Sequence, residues 1–377
     1  MNKLNLDKDT IPENYVFIVD NITSAFAIAT WAAGKTISCI YECKIIDWRK
    51  ADYNALFDII LSDVKKINRV SVEVPHPYFM HSPNIFMTIW KQKKFIKNVR
   101  KIFKLDKSKT YVSCSTSSIL ISNKTRVDHV LIDEGMGSII ARHRPKSSFL
   151  KRTFGGIIIP FRFAFDAPQI TLSNDSHPAI ELHLDYRNFR SKAYETAISS
   201  LIEKTEESDC NVLVLLMGPG NNGSIHIKEG EWEYDKYLQF NIKVIKRFIE
   251  ITKLSANTVF FLKTHPSLGK SPEIVAQLIK FFAAKNIQSY GLSSLINFEE
   301  SSSLPAEGML KYCNFQYLLS ADISSSVWNV SHFKEVACYV PLREIIDFVK
   351  AENSPHLSVY NFQERLNKET GNWVNFF

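Results

Sequence analysis

Tyr15-Val16-Phe17-Ile18-Val19-Asp20 is an unbroken apolar run closed by an acid, and the residues after it decide what kind of sheet it belongs to. Asn21-Ile22-Thr23 reads as a capping turn, Ser24 to Ala33 as a helix of mostly small residues, and Gly34 as its stop. A buried strand followed at once by a helix is the opening of a parallel sheet with crossover helices. The same alternation continues outward. Strands are expected near Thr36 to Tyr41, Val70 to Val74, Thr110 to Cys114 and His129 to Ile132, with helices near Asp52 to Lys66 and Asn84 to Lys104.

Between Lys146 and Tyr186 the pattern loosens. Gly155, Gly156, Pro160, Pro168 and Pro178 interrupt short apolar pieces, which reads as a connection between domains plus an irregular flap. A helix from Ser191 to Lys204 restores the alternation. Strands then follow at Asn211 to Met217, Thr258 to Lys263, Gln288 to Tyr290 and Phe315 to Leu319. Helices are expected at Tyr234 to Thr252, Pro272 to Lys285, from Pro305, from Ser325, and near Glu344 to Ala351 and Tyr360 to Asn367. At 377 residues the chain exceeds the size one core usually serves. The expected fold is therefore α/β, with two doubly wound, Rossmann-like domains facing a central cleft. Residues 1–185 form the first with its irregular linker, 186–355 form the second, and 356–377 form a C-terminal helix that packs back on the first. Ligands of such sheets bind beyond the carboxyl ends of the strands.

Composition excludes several classes. Hydrophobic residues make up 45% and charged residues 23%, ordinary for a globular protein. The six cysteines form no CxxC pair and mostly lie inside apolar runs, as reduced core cysteines of a cytoplasmic protein do. Met1 to Asp7 lacks the features of a signal peptide, and no stretch has the length of a membrane span. Contact with a membrane, if any, is expected at its surface.

The net charge of +7 is unevenly spread. Lys91, Lys93, Lys94, Lys97, Arg100, Lys101 and Lys104 follow one another without an acid. On a helix from Asn84, the residues Ile85, Ile89, Ile96, Val99 and Phe103 share one face, with most of the lysines around it. That pattern suits an anionic membrane surface, and equally an amphipathic helix packed on a sheet. A second basic segment holds Arg142, Arg144, Lys146, Lys151 and Arg152, suited to an anionic acceptor or to a solvated loop. Neither stretch carries the framework of a nucleic-acid-binding motif, and no nucleic-acid partner is expected.

Candidate site residues cluster at expected strand ends. Asp133-Glu134-Gly135 sits where Val130-Leu131-Ile132 stops, a place where a carboxylate can act as a general base. His-Pro occurs three times, but only His265-Pro266 closely follows a strong strand, Val259 to Leu262. Gly218-Pro219-Gly220-Asn221-Asn222-Gly223 has the spacing of a dinucleotide fingerprint. The alternating Ile225 to Gly230 then stands where the fingerprint needs a helix, so the stretch reads as a glycine-rich loop lining the cleft, with Gly218 and Gly220 near a phosphate or carboxylate. Ser324-Ser325-Ser326 precedes a helical pattern, either as a cap or as an anion site. Glu307, in the first turn expected after Pro305, is commonplace there or a ligand for ribose hydroxyls.

An acidic pair before glycine, a His-Pro and a serine pair, in that order, resemble the motifs of bacterial sialyltransferases and polysialyltransferases of the two-domain glycosyltransferase type called GT-B. Tyr15 to Ala33 is similar to the opening of those enzymes, and Pro305-Ala306-Glu307 to their short element before the serines. The resemblance spans most of the chain, through motifs two or three residues long. It implies an inverting, metal-independent transferase that moves sialic acid, or a related nonulosonate, from a CMP-sugar to a hydroxyl of a bacterial surface glycan such as capsule, lipooligosaccharide or O-antigen. Glu134 is then the base, supported by Asp133, and His265 assists the departing phosphate. Pro266, Ser324, Ser325, Ser326, Gly218, Gly220 and Glu307 lie on the donor side, with Glu307 on the ribose. Arg142, Arg144, Lys151 and Arg152 face an oligosaccharide or lipid-linked acceptor. No cofactor or metal is implied, and the expected place is the cytoplasm, at the inner face of the bacterial membrane. Two alternatives stand beside this: a transferase of the same architecture using CMP-Kdo or another activated sugar, and a non-enzymatic module binding anionic glycans or membranes.

Overall fold

The computed structural model describes residues 11–19, 21–46, 53–75, 106–114, 128–132, 169–171, 180–216, 232–255, 257–264, 272–299, 301–322, 324–351 and 357–377, together with residues 87, 90, 94, 97 and 101. The chain divides into two compact units, Met1–Ala193 and Tyr194–Phe377. Each is built on one parallel sheet.

The first sheet holds β1 (Tyr15–Val19), β2 (Thr36–Ile46), β3 (Lys65–Pro75), β4 (Thr110–Cys114), β5 (Asp128–Ile132), β6 (Gln169–Thr171) and β7 (Ile180–His183). Their spatial order is β3-β2-β1-β4-β5-β6-β7, and every pairing is parallel. All five residues of β1 are buried, as a strand covered on both faces requires. Helix α1 (Ile22–Trp31) follows directly. Asn21 starts it with a capping box: its side chain accepts from the Ser24 N–H at 2.7 Å, while Ser24 Oγ accepts from the Asn21 N–H at 3.3 Å. From Ser24 to Trp31 every side chain is buried, so the small residues are those of a helix enclosed all round.

Several stretches differ from expectation. The helix expected to reach Lys66 ends early, as α2 (Tyr53–Ile60), and Lys65 already belongs to β3, paired with Thr36. β3 is an edge strand of eleven residues carrying Lys65, Lys66 and Arg69. Arg69 Nε donates to Glu42 on β2 at 2.6 Å. Edge strands commonly carry such cations, and they hide the strand pattern. The stretch read as a linker and flap contributes β6 and β7 to the first sheet. Residues 356–377, read as a helix, hold a helix and a strand, both described below within the second unit.

The second sheet holds β8 (Cys210–Leu216), β9 (Thr258–Thr264), β10 (Gln288–Gly291), β11 (Tyr317–Ser320), β12 (Ala337–Val340) and β13 (Val374–Phe376). Its order is β10-β9-β8-β11-β12-β13, again wholly parallel. In chain order this is 3-2-1-4-5-6, the doubly wound arrangement with its switch point between the first and fourth strands. Two short helices, α3 (Lys192–Ala197) and α4 (Ser199–Glu206), lead into β8. Between β8 and β9 runs α5 (Trp232–Thr252), whose Phe248 meets Phe260 of β9 and Tyr339 of β12 edge-on. Helix α6 (Pro272–Ala283) buries Ile274, Leu278 and Phe282, one helical stripe. Before and after β11 come α7 (Ala306–Tyr312) and α8 (Ser325–Ser331), and α9 (Leu342–Ala351) and α10 (Leu357–Thr370) close the unit. β13 then pairs with β12.

Candidate functional site

The switch point of the second sheet lies between β8 and β11, and its carboxyl edge gathers the described candidates. The triple serine there has a definite register. Ser324 is the N-cap of α8, its Oγ accepting from the Ser326 N–H at 3.2 Å, and Ser325 and Ser326 are the first two helical residues. All three are half-buried. Ser324 thus caps the helix, which leaves Ser325 and Ser326 as the pair whose side chains can serve a ligand.

Glu307 lies in the first turn of α7 and is 7% exposed. A carboxylate so enclosed needs hydrogen bonds to offset its lost hydration. Asn329 of α8, itself buried, supplies one from Nδ2 to Glu307 Oε1 at 2.7 Å. Asn329 Oδ1 is buried without a hydrogen-bond partner. The helix carrying Glu307 sits close to its support. Tyr194 is fully buried, and its hydroxyl donates to the Pro305 carbonyl at 2.5 Å. Gly308 faces that ring at a distance no side chain would fit.

Two buried charges were missed by the sequence reading. Lys263, the penultimate residue of β9, donates from Nζ to the carbonyl of Ser302 at 2.7 Å. Burial pushes its amine down to about 8, while attraction to Glu307 opposes the shift. A lysine closing an apolar strand run is the signal that was available. Asp322, just past β11, is buried and accepts from the Tyr360 hydroxyl of α10 at 3.3 Å. That bond ties the C-terminal helix to the switch point, and nothing in the local sequence around Asp322 announces it.

No family model matches the chain, and no curated protein is significantly similar to it in sequence.

The remaining candidates lie outside the described residues, though their places in the chain are plain. Asp133, Glu134 and Gly135 follow Ile132, the end of β5. His265 and Pro266 follow Thr264, the end of β9, and Gly218 and Gly220 come shortly after Leu216, the end of β8. Arg142, Arg144, Lys151 and Arg152 fall in the stretch between β5 and β6. Among the described residues no group of three or more His, Cys, Asp or Glu side chains converges as metal ligands do. Burial pushes the thiols of Cys313 and Cys338 up to about 12, so neither is a thiolate nucleophile near neutral pH. No described helix is long and apolar enough to cross a membrane.

Proposed function

We propose that the chain is an inverting, metal-independent glycosyltransferase of the GT-B type, its two doubly wound domains facing a cleft. It transfers sialic acid or a related nonulosonate from a CMP-sugar to a hydroxyl of a bacterial surface glycan. The observation that carries this reading is the coincidence of motif order with strand ends in two wholly parallel sheets. Asp133-Glu134-Gly135 comes directly after β5, His265-Pro266 directly after β9, and the serines follow β11 as the N-cap and first residues of α8. Loops at the carboxyl ends of such strands are where ligands are held.

In the proposed reaction, Glu134 takes the proton of the acceptor hydroxyl as its oxygen attacks the anomeric carbon, with Asp133 orienting the base. The bond between that carbon and the CMP phosphate oxygen breaks. His265 gives a proton or a charged hydrogen bond to the departing phosphate, which Ser325 and Ser326 hold, and Glu307 accepts from the ribose hydroxyls. The departing monophosphate carries less charge than a diphosphate would, so these donors suffice without a metal. Gly218, Gly220 and Pro266 complete the donor side, and Arg142, Arg144, Lys151 and Arg152 serve the acidic or lipid-linked acceptor. This puts the enzyme on the cytoplasmic side of the membrane, at its surface.

Calorimetric titration with CMP, CDP and NAD is the first test, with selective binding of CMP expected. Failure to bind any nucleotide would overturn the transferase reading in favour of a glycan- or membrane-binding module. CMP release measured over a donor panel separates CMP-sialic acid from CMP-Kdo. Glu134→Gln and His265→Ala should each lower turnover on the order of 100-fold or more, the scale of general acid–base catalysis. Near-normal turnover by Glu134→Gln removes the base assignment.

A further inference from the structure

Met87, Trp90, Lys94, Lys97 and Lys101 are each helical and exposed. Helical positions separated by three, four, three and four residues fall within an arc of about 80° at roughly 100° per residue. They form one stripe. Lys94 Nζ lies 5.2 Å from the centroid of the Trp90 ring, so the cationic and aromatic parts of the stripe are in contact.

The composition of this face is unusual for a helix that only packs on a sheet. In the sequence, Ile85, Ile89, Ile96, Val99 and Phe103 recur at positions about half a turn away from the stripe, the spacing expected of an apolar face. The opposite side of such a helix needs no apolar residue. Yet Trp90 is 55% exposed and Met87 46%, and only Val70 joins them as an exposed large apolar side chain among the described residues. Three lysines continue the same line, and no acid occurs from Lys91 to Lys104.

We infer that this face docks the protein on an anionic lipid bilayer. Trp90 and Met87 enter the headgroup boundary, and Lys94, Lys97 and Lys101 lie over the negative surface. The pairing of features selects the partner. A dissolved polyanion calls for the lysines but gives a half-exposed tryptophan and methionine nothing to enter, whereas a bilayer interface accommodates amphipathic aromatics and cations together. The inference does not depend on the transferase reading, and it is tested without turnover.

The experiment is co-sedimentation of the full chain with vesicles of pure phosphatidylcholine and of equal parts phosphatidylcholine and phosphatidylglycerol. Binding to the mixed vesicles alone is expected, weakening as salt is added. The triple variant Lys94→Glu/Lys97→Glu/Lys101→Glu should bind the mixed vesicles on the order of 100-fold more weakly, since each lysine near such a surface contributes roughly fivefold. Trp90→Ala should bind several-fold more weakly, and the tryptophan emission change on adding vesicles should shrink with it. All the residues are exposed, so circular dichroism and melting of the variants should match the wild type. Equal binding to both vesicle types, undiminished binding by the triple variant, or binding to a soluble acidic polysaccharide but not to vesicles would each overturn the inference.

Discussion

Gly308→Ala tests how the helix carrying Glu307 is seated. A Cβ at this position would lie 2.6 Å from Tyr194 Cζ, 2.8 Å from its Oη and 2.9 Å from Cε1. The ring has little freedom to retreat. Tyr194 is fully buried, its hydroxyl is bonded to the Pro305 carbonyl, and its ring stacks on Tyr312 with centroids 6.1 Å apart. Two effects oppose each other. Alanine in place of glycine favours a helix by about 1 kcal/mol. Forcing a methyl into a packed contact costs about 1–3 kcal/mol, and displacing the ring weakens a hydrogen bond with a net value of about 1 kcal/mol. The overlap wins, giving a net loss of about 1–3 kcal/mol. For a cooperative unit of this size each kcal/mol moves the midpoint by about 2–4 °C, so Tm should fall by about 2–12 °C. Thermal unfolding followed by circular dichroism reads this. In a Tyr194→Leu background, which removes the contacting ring atoms, Gly308→Ala should become neutral or stabilising by up to about 1 kcal/mol. An equal loss in both backgrounds, or a raised Tm in the otherwise wild-type chain, would refute the contact as the cause.

Lys263 should leave a pH signature. Its folded value of about 8 lies below the ordinary 10.5, so its burial penalty is full below pH ~8 and vanishes above ~10.5. Wild-type stability minus that of Lys263→Met should therefore rise by about 2 kcal/mol between pH ~8 and ~10 in urea titrations, and a flat difference would refute the buried cation. Asn211→Leu should cost about 2–4 kcal/mol, because the fully buried amide donates to the carbonyls of Thr205 at 2.7 Å and Asn314 at 2.8 Å, which would lose that donor. A loss under about 1 kcal/mol in chemical denaturation would contradict that accounting.

Why some elements were legible follows from where they lie. β1, β8 and β9 are central strands of parallel sheets, covered on both faces, so their sequences are continuous apolar runs with nothing to confuse them. β3 at the edge carries Lys65, Lys66 and Arg69, and those cations look like a solvated helix face unless their partners Glu42 and Asp58 are known. β6 and β7 have three and four residues, too few for any period, and their place is set by pairing with β5 and with each other. The site divides in the same way. Serines before a helix announce a cap locally, whereas the meeting of Glu307 with Asn329 joins residues on two helices separated by a strand. No spacing rule in one sequence expresses that meeting.

That network also constrains what Glu307 can do in the proposed reaction. One of its oxygens is held by Asn329, and its charge attracts the buried Lys263, whose own hydrogen bond goes to Ser302. A base must release and regain its partners as it takes up a proton, and here one oxygen is already committed to the buried amide of Asn329. A fixed acceptor has the opposite requirement. An ionised carboxylate has about four acceptor sites, so a bond from Asn329 leaves capacity for a pair of hydroxyl donors held at a constant orientation. Such an arrangement suits the recognition of a diol rather than the movement of a proton. In the proposal the general-base role therefore belongs to the acids after β5, and Glu307 in the first turn of α7 is assigned to positioning the donor.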